Sequence, residues 1–415
     1  MFTRTPRKNM EKEKQKKEEV NISPCPNPDV CGSCGWSHIP YEKQLKQKIS
    51  DINGSFALKK LPITVSEIIG SEKTAHYRNR MDFVIDWQGS VGLREKGKWW
   101  RVIDNHPCFL ADEKIDALFS VCRTWAKTCG LSFYDRKANV GLLRYAVIRS
   151  TTLGQTMVTI VTSAPKDEDE RRQIKEIISH LSSAVSHLPT TLIWAINHTI
   201  TDVSHGGENI VISGPGYIEE NIGLVDPSLP QDQPKIRYRI SPNAFFQTNP
   251  HAAPSLLQVV NTFLGNLSGK TFLDLYCGTG FFSLALAGKA EKTIGVELVE
   301  DAIKDARANA ELNGLSEKVT YLAQPAESVD WLAYNADVVL LDPPRAGLHP
   351  STLADLLKPN APEHVVYVSC NYKNLARELA ILQNHYTVLD VKAVDMFPHT
   401  PHVEVVANLQ KKNVK

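Results

Sequence analysis

Four of the chain's eight cysteines fall in a pattern that binds metal: Cys25-x5-Cys31-x2-Cys34, joined far downstream by Cys108. Four thiolates suit a structural zinc or an iron–sulfur cluster. Zinc sites more often pair two C-x2-C units, and a single such unit here tilts the reading toward the cluster, with zinc left open. A fourth ligand at Cys108 speaks against a radical enzyme, which would leave one iron free on three cysteines. Cys370 is a different case. It ends the apolar run HVVYVSC in the phrase Val368-Ser369-Cys370-Asn371, where a thiol facing a cofactor crevice is a nucleophile and a thiol facing the core is packing. Position alone leaves both open.

A second group of residues points to a nucleoside cofactor. Asp274-Leu275-Tyr276-Cys277-Gly278-Thr279-Gly280 follows an apolar strand and opens a helix, so its glycines permit a tight turn with backbone N–H groups close to a ligand. The next strand ends in Gly295-Val296-Glu297, where a carboxylate can accept from both ribose hydroxyls. A dinucleotide or S-adenosylmethionine fits these two features equally. Asp342-Pro343-Pro344-Arg345, at the carboxyl end of DVVLLD, favours S-adenosylmethionine, since dinucleotide enzymes have no use for an acid on a rigid Pro-Pro turn. Further on, Glu404 lies in the strand VEVVANL, either as a surface residue of an edge strand or as a buried acid.

The elements that must hold these residues divide the chain in two. Residues 1–24 read as a solvated, flexible tail of alternating Lys and Glu. Residues 25–240 read as β-rich: a helix from Tyr41 to about Ser50, a meander RMDFVIDW, VGLRE and WWRVID, a helix over 111–129 in which Cys122 and Cys129 pack, and a hairpin about Leu153-Gly154. A helix over 167–183 and strands at 191–198, 209–212 and 236–240 follow. Residues 241–415 alternate short apolar strands with helical segments, the mark of a doubly wound parallel sheet. The fold class is therefore α/β, with a Rossmann-like C-terminal domain after a β-rich one.

Charge follows this division. The chain carries 47 basic and 46 acidic side chains, yet residues 1–110 hold 19 basic against 13 acidic. A membrane span and a secretion signal are both missing from the sequence, so a cytoplasmic, monomeric protein is expected.

Taken together, LDLYCGTG, GVEL, LDPPRAGL, VSCN and DMFPHTPHVE, in this order, resemble the RNA uracil-5 methyltransferase family over nearly the whole chain from Cys25 to Leu409. The segment from Ser241 to Asn249 is similar to the family's Phe-Phe-Gln-x-Asn stretch. The resemblance implies a class I methyltransferase domain in which Gln247, Tyr276, Glu297 and Asp342 line the S-adenosylmethionine and target-base pocket. It also implies Cys370 as nucleophile, Glu404 as general base, and a [4Fe-4S] cluster on Cys25, Cys31, Cys34 and Cys108. The implied partner is RNA, offered to Arg78, Arg80, Arg94, Lys96, Lys98 and Arg101 with Trp99 and Trp100. The expected product is 5-methyluridine in 23S ribosomal RNA, because the resemblance implies a cluster while the 24 residues before the first cysteine are too few for the family's RNA-binding barrel, as in one ribosomal branch, although archaeal-type transfer RNA enzymes share both traits. A transfer RNA target is the alternative, and an idle RNA-binding protein or an electron carrier are the competing classes. Two departures stand out. Tyr372 replaces the usual Pro after Ser-Cys-Asn, which would loosen that loop, and Phe281 replaces a frequent Asn after the second glycine, at the cost of one cofactor hydrogen bond.

Overall fold

Short apolar runs broken by Gly, Asp and Pro fill both halves of the chain, and the computed structural model pairs them into two large sheets. It describes residues 25, 30–181, 189–224 and 235–412; the expected tail 1–24 and the last two positions of the helix expected over 167–183 lie outside these.

The first long helix, α1 (Tyr41–Leu58), is followed by a short strand, β1 (Ile68–Ile69). The expected meander then forms as β2 (Arg80–Ile85), β3 (Val91–Glu95) and β4 (Lys98–Asp104). Gly154, at φ +84°, turns β5 (Leu143–Ser150) back into β6 (Thr156–Ser163). With β7 (Thr191–Asn197) and β8 (Glu208–Ser213) the order is β4-β3-β2-β5-β6-β7-β8. Helices α2 (Glu113–Thr128) and α3 (Glu168–Ser179) start where Asp112 and Asp167 accept hydrogen bonds from backbone N–H groups of the first turn. Their Phe119, Cys122, Ile174 and Ile178 share a core with Phe83, Ile148 and Trp194. On these strands a separate small apolar group forms without any helical residue: Val84, Val102, Tyr145, Val147, Val161 and Ala195.

A two-stranded ribbon, β9 (Ile218–Ile222) with β10 (Ile236–Ile240), leads into the second sheet. There α4 (Ala253–Leu264), β11 (Thr271–Leu275), α5 (Phe281–Ala287), β12 (Lys292–Glu297), α6 (Glu300–Leu312) and β13 (Val319–Ala323) alternate. They are followed by β14 (Val338–Leu341), α7 (Pro350–Asp355), β15 (His364–Ser369), α8 (Tyr372–Leu382), β16 (Tyr386–Val394) and β17 (Glu404–Lys411). The order is β1-β16-β17-β15-β14-β11-β12-β13, with β17 antiparallel to both its neighbours. The α/β class is thus observed, with one mixed sheet in each half.

The N-terminal helix does not stop near Ser50, because Ile52 and Phe56 continue its buried stripe. That stripe, Gln44, Lys48, Ile52 and Phe56, recurs every fourth residue. It packs into the second sheet: Ile52, Phe56, Leu61 and Val65 share a core with Leu273, Val339 and Tyr367. β1 completes the same sheet by pairing in parallel with β16, Ile68 beside Ala393.

Candidate active site

Strand register assembles the site. Leu275, Leu341 and Tyr367 lie side by side on parallel β11, β14 and β15, so the chain leaves all three strands at one edge. Tyr276, Asp342 and Cys370 emerge there, where ligands of such sheets bind. β17 enters from that same edge, and its pairing of Val405 with Ser369 puts Glu404 next to Cys370. The surface-edge alternative for Glu404 is overturned: β17 lies between β15 and β16, and Glu404 is buried.

The groups feel one another. Burial, with Glu297 nearby, pushes the Asp342 carboxyl up to about 7. Burial and then Asp342 push Glu404 up to about 8. The half-buried Cys370 thiol rises to about 11, first through burial and then through the carboxylates of Glu404 and Asp342, while Arg345 pulls the other way. A crevice lined by acids held near neutrality in this way suits a cationic ligand, whose charge would restore their ionisation.

The glycine turn lies over the ends of β11 and β12. Tyr276, Gly278 and Gly280 take φ of +68°, +54° and +86°, a run that only this tight a turn explains. Glu297 accepts from the backbone N–H of Gly278 at 3.2 Å and of Val299 at 2.9 Å, which fixes its carboxylate beside the turn. Gly295 must be glycine, since an added Cβ would meet the Tyr321 ring at 2.5 Å and Cys277 Sγ at 2.9 Å. Beneath, buried Asp274 accepts from Ser283 N at 3.0 Å, while its Oδ1 has no hydrogen-bond partner among the described residues. Thr279 Oγ1 donates to Phe245 O at 3.5 Å, which brings the 241–249 segment and buried Gln247 against the turn. The half-buried Tyr276 directs its hydroxyl to Thr352 Oγ1 of α7 at 3.5 Å.

The Pro-Pro turn is clamped to the Cys370 loop. Asn371 Nδ2 donates to Arg345 O at 3.1 Å, and Asn374 Nδ2 to Arg345 O and Ala346 O at 2.9 and 3.0 Å. Asn371 Oδ1 in turn caps α8 by accepting from Lys373 N and Asn374 N. The loop expected to loosen at Tyr372 is instead held by these bonds, and Tyr372 packs on the sheet core. Phe281 has been absorbed into an aromatic group with Tyr238, Phe246 and Phe282, and its carbonyl accepts from Tyr238 Oη at 2.7 Å. An apolar core contact stands where a polar side chain was expected.

Cys25, Cys31, Cys34 and Cys108 are all buried and share one apolar core. Burial raises the Cys34 thiol well above its ordinary range, and Cys25, Cys31 and Cys108 each add to the rise, so the four lie within electrostatic reach. Cys108 is pushed up to about 11, mainly by burial. Burial acts the same way on Cys31, but hydrogen bonds from His106 and Ser33 outweigh it and leave that thiol lowered. Among the described residues no three Cys, His, Asp or Glu side chains converge on the point a single metal ion would occupy.

The structure also joins the cysteine loop to the segment before Glu404, which the sequence alone did not suggest. Trp36 N donates to His399 O at 3.1 Å. Gln44 Nε2 lies 3.0 Å from His399 Nδ1, and Gln44 Oε1 accepts from His399 N at 2.8 Å. Lys48 Nζ, fully buried, donates to Asp395 Oδ1 at 2.7 Å and Phe397 O at 3.1 Å. Polar side chains on the buried stripe of α1 were the available signal.

A doubly wound sheet with a glycine turn, an acid at the end of the adjoining strand and a Cys–Glu–Asp crevice has the form of a nucleoside-cofactor transferase. The family model described as tRNA (uracil-5-)-methyltransferase matches residues 217–412. An uncharacterised RNA methyltransferase of Caldanaerobacter subterraneus is 35% identical, the match covering 94% of this chain and 85% of the relative. The tRNA (uracil(54)-C(5))-methyltransferase of Pyrococcus horikoshii is 33% identical over 91% of this chain and 83% of its own. The crystal structure of the Pyrococcus abyssi tRNA (uracil-54, C5)-methyltransferase with S-adenosyl-L-homocysteine superposes with a TM-score of 0.72 at 30% identity, covering 91% of this chain and 86% of that one. This chain belongs to the RNA uracil-5 methyltransferase family. Among the described residues no helix is long and apolar enough to cross a membrane.

Proposed function

We propose that the protein methylates carbon 5 of a uridine in RNA, with Cys370 as nucleophile and Glu404 as base. The observation that carries this reading is the register that sets Glu404 of β17 beside Cys370 at the mouth of the cofactor crevice. Carbon 5 of uracil is a poor nucleophile until a thiolate adds to carbon 6, which moves the ring π pair to an enolate at O4. S-adenosylmethionine supplies the methyl group. After transfer Glu404 takes the proton from carbon 5, the C5=C6 bond reforms, and the sulfur of Cys370 leaves as thiolate. Asp342 hydrogen-bonds the polar edge of the ring, accepting from N3–H when ionised and donating to O4 while protonated. The uridine must leave its stack to enter.

Gln247, Tyr276 and Glu297 would hold the cofactor. The unmet acceptor on Asp274 beneath the turn and the backbone at positive φ over it support that fit. Because Glu404 acts in its ionised form and burial holds its carboxyl up to about 8, and Cys370 must also lose a proton held up to about 11, kcat/KM should climb steadily with pH from 6 through 8 and go on climbing above it. A rate that falls between pH 6 and 8 would rule out this assignment.

Cys25, Cys31, Cys34 and Cys108 would hold a [4Fe-4S] cluster with a structural role, tying the N-terminal loop to the meander. Their burial in one core, within electrostatic reach of one another, supports this, and a cluster separates its thiolates further than a lone ion at ~2.3 Å per bond. Anaerobically purified protein should be brown, with iron and sulfide near four per chain; colourless protein holding zinc would defeat the assignment. Two target RNAs remain as readings: the 23S ribosomal RNA expected from the sequence, and a transfer RNA, the substrate named for the two archaeal relatives. Mapping 5-methyluridine in cells with and without the gene separates them, and finding none in either RNA would refute the function.

A further inference from the structure

The seven-stranded sheet carries a groove that no part of the reaction uses. It encloses about 250 Å³ and is lined by Trp87, Trp99 and Trp100, by Tyr134, Arg136 and Lys137, and by the apolar Val84 and Val102. Each of the three tryptophans is 58% exposed. A stable fold has little reason to leave three indoles together in water unless they bind something. Trp99 and Trp100 stand edge to face, with centroids 5.9 Å apart and planes at 88°, so they present faces in two directions.

The acids at the groove are already engaged. Asp86 Oδ1 accepts from Gln88 N and Ser90 N at 2.9 and 2.8 Å, and Asp135 Oδ1 from Lys137 N at 2.8 Å. Arg136 is held in place by Asp202 and by the Tyr145 hydroxyl at 3.1 Å. The hairpin Glu95-Lys96-Gly97-Lys98-Trp99-Trp100-Arg101 sets three cations against one acid beside the indoles, and that acid, Glu95, pairs with Lys98 and Arg101. Aromatic faces within a basic rim match a single-stranded nucleic acid: bases stack, phosphates meet the rim. The volume is below the ~300–1,000 Å³ of sites that enclose a whole ligand, as suits a groove taking bases from a longer strand.

We propose that this groove is a second nucleobase site, in which unpaired bases of the substrate RNA stack on Trp87, Trp99 and Trp100. The inference rests on the reading of RNA as substrate. It adds a place on the strand. Asn79, at the start of β2, binds the 247–248 segment of the cofactor crevice through Gln247 O and Thr248 O at 3.0 Å each. The groove begins near Asp86 at the other end of that strand, roughly 20 Å away at ~3.3 Å per residue. The stacked bases are therefore several nucleotides from the target uridine, so they set affinity and choice of RNA rather than the chemical step.

The test uses the full chain and two labelled probes of about 12 units each, an oligouridylate and an RNA duplex. Alanine at Trp87, Trp99 or Trp100 should weaken oligouridylate binding by about 5- to 100-fold and duplex binding far less, with phenylalanine restoring most of the loss. On substrate RNA the loss should appear as a raised KM. Oligouridylate affinity within about twofold of the parent in all three alanine variants would overturn the proposal, as would equal losses on both probes. A parent chain that binds neither probe would overturn it too, while methyl transfer, measured separately, decides the underlying reading.

Discussion

Glu404→Gln traps a covalent protein–RNA species, and Cys370→Ala forms none. Both variants lose turnover, by about 10²- to 10⁴-fold or more for loss of the general base, but at different bonds. Without the thiol the C6–S bond never forms. With glutamine at 404 that bond forms and the methyl group moves, yet nothing removes the proton from carbon 5, so the sulfur cannot leave. The adduct is read as a denaturant-stable band that contains both chain and RNA. Glutamine keeps the size of the side chain in a buried position between β15 and β16, so folding is not the variable. An inactive Glu404→Gln protein with no adduct would show that another group takes the proton or that Glu404 acts earlier. An adduct in Cys370→Ala would remove Cys370 from the nucleophile's role.

Lys48→Met loses about 3–5 kcal/mol of stability, because it strands the Asp395 carboxylate in the core. The pair is fully buried and 2.7 Å apart, and the ammonium also holds Phe397 O. Burial lowers the Lys48 pKa, and the attraction of Asp395 offsets part of that. The double variant Lys48→Met/Asp395→Leu should recover most of the loss, since neither charge is then left alone. Urea midpoints of the two proteins decide: a single-variant loss below about 1 kcal/mol would mean that the pair is worth no more than a surface contact. Activity should fall alongside stability, because the segment released is the one that leads into Glu404.

What the sequence disclosed differs between the two halves of the site. Cys370, Asp342 and Glu297 each stand at the end of an apolar strand beside a turn motif, a local signal that periodicity and Gly/Pro punctuation make visible. That Glu404 sits in a central strand was not visible, because insertion of β17 between β15 and β16 is a matter of strand order, and two antiparallel strands read alike in either place. The same holds for α1. Its fourfold stripe was not read as a buried face, and nothing local tied that face to the second sheet, over 200 residues away. Gln44 and Lys48 looked like solvent residues by type and are buried, since their partners His399 and Asp395 lie in the last loop. Strand β9, IEENI, was missed because three polar residues hide its alternation. Phe281 and Tyr372 departed from the family pattern, and tertiary packing gave each a different use.

The bond between Lys48 and Asp395 spans 347 residues of chain. At ~5–20 residues per second of synthesis, the helix that carries Lys48 waits roughly 17–70 s before its partner is even made. Through that interval Ile52 and Phe56 have no finished sheet to cover, and the cysteine loop lacks the His399 carbonyl that anchors it. During its own translation, then, the chain carries an exposed apolar stripe and an unanchored thiol cluster. Chaperone demand should therefore persist until residues 395–399 have emerged and can close on the helix that carries Lys48.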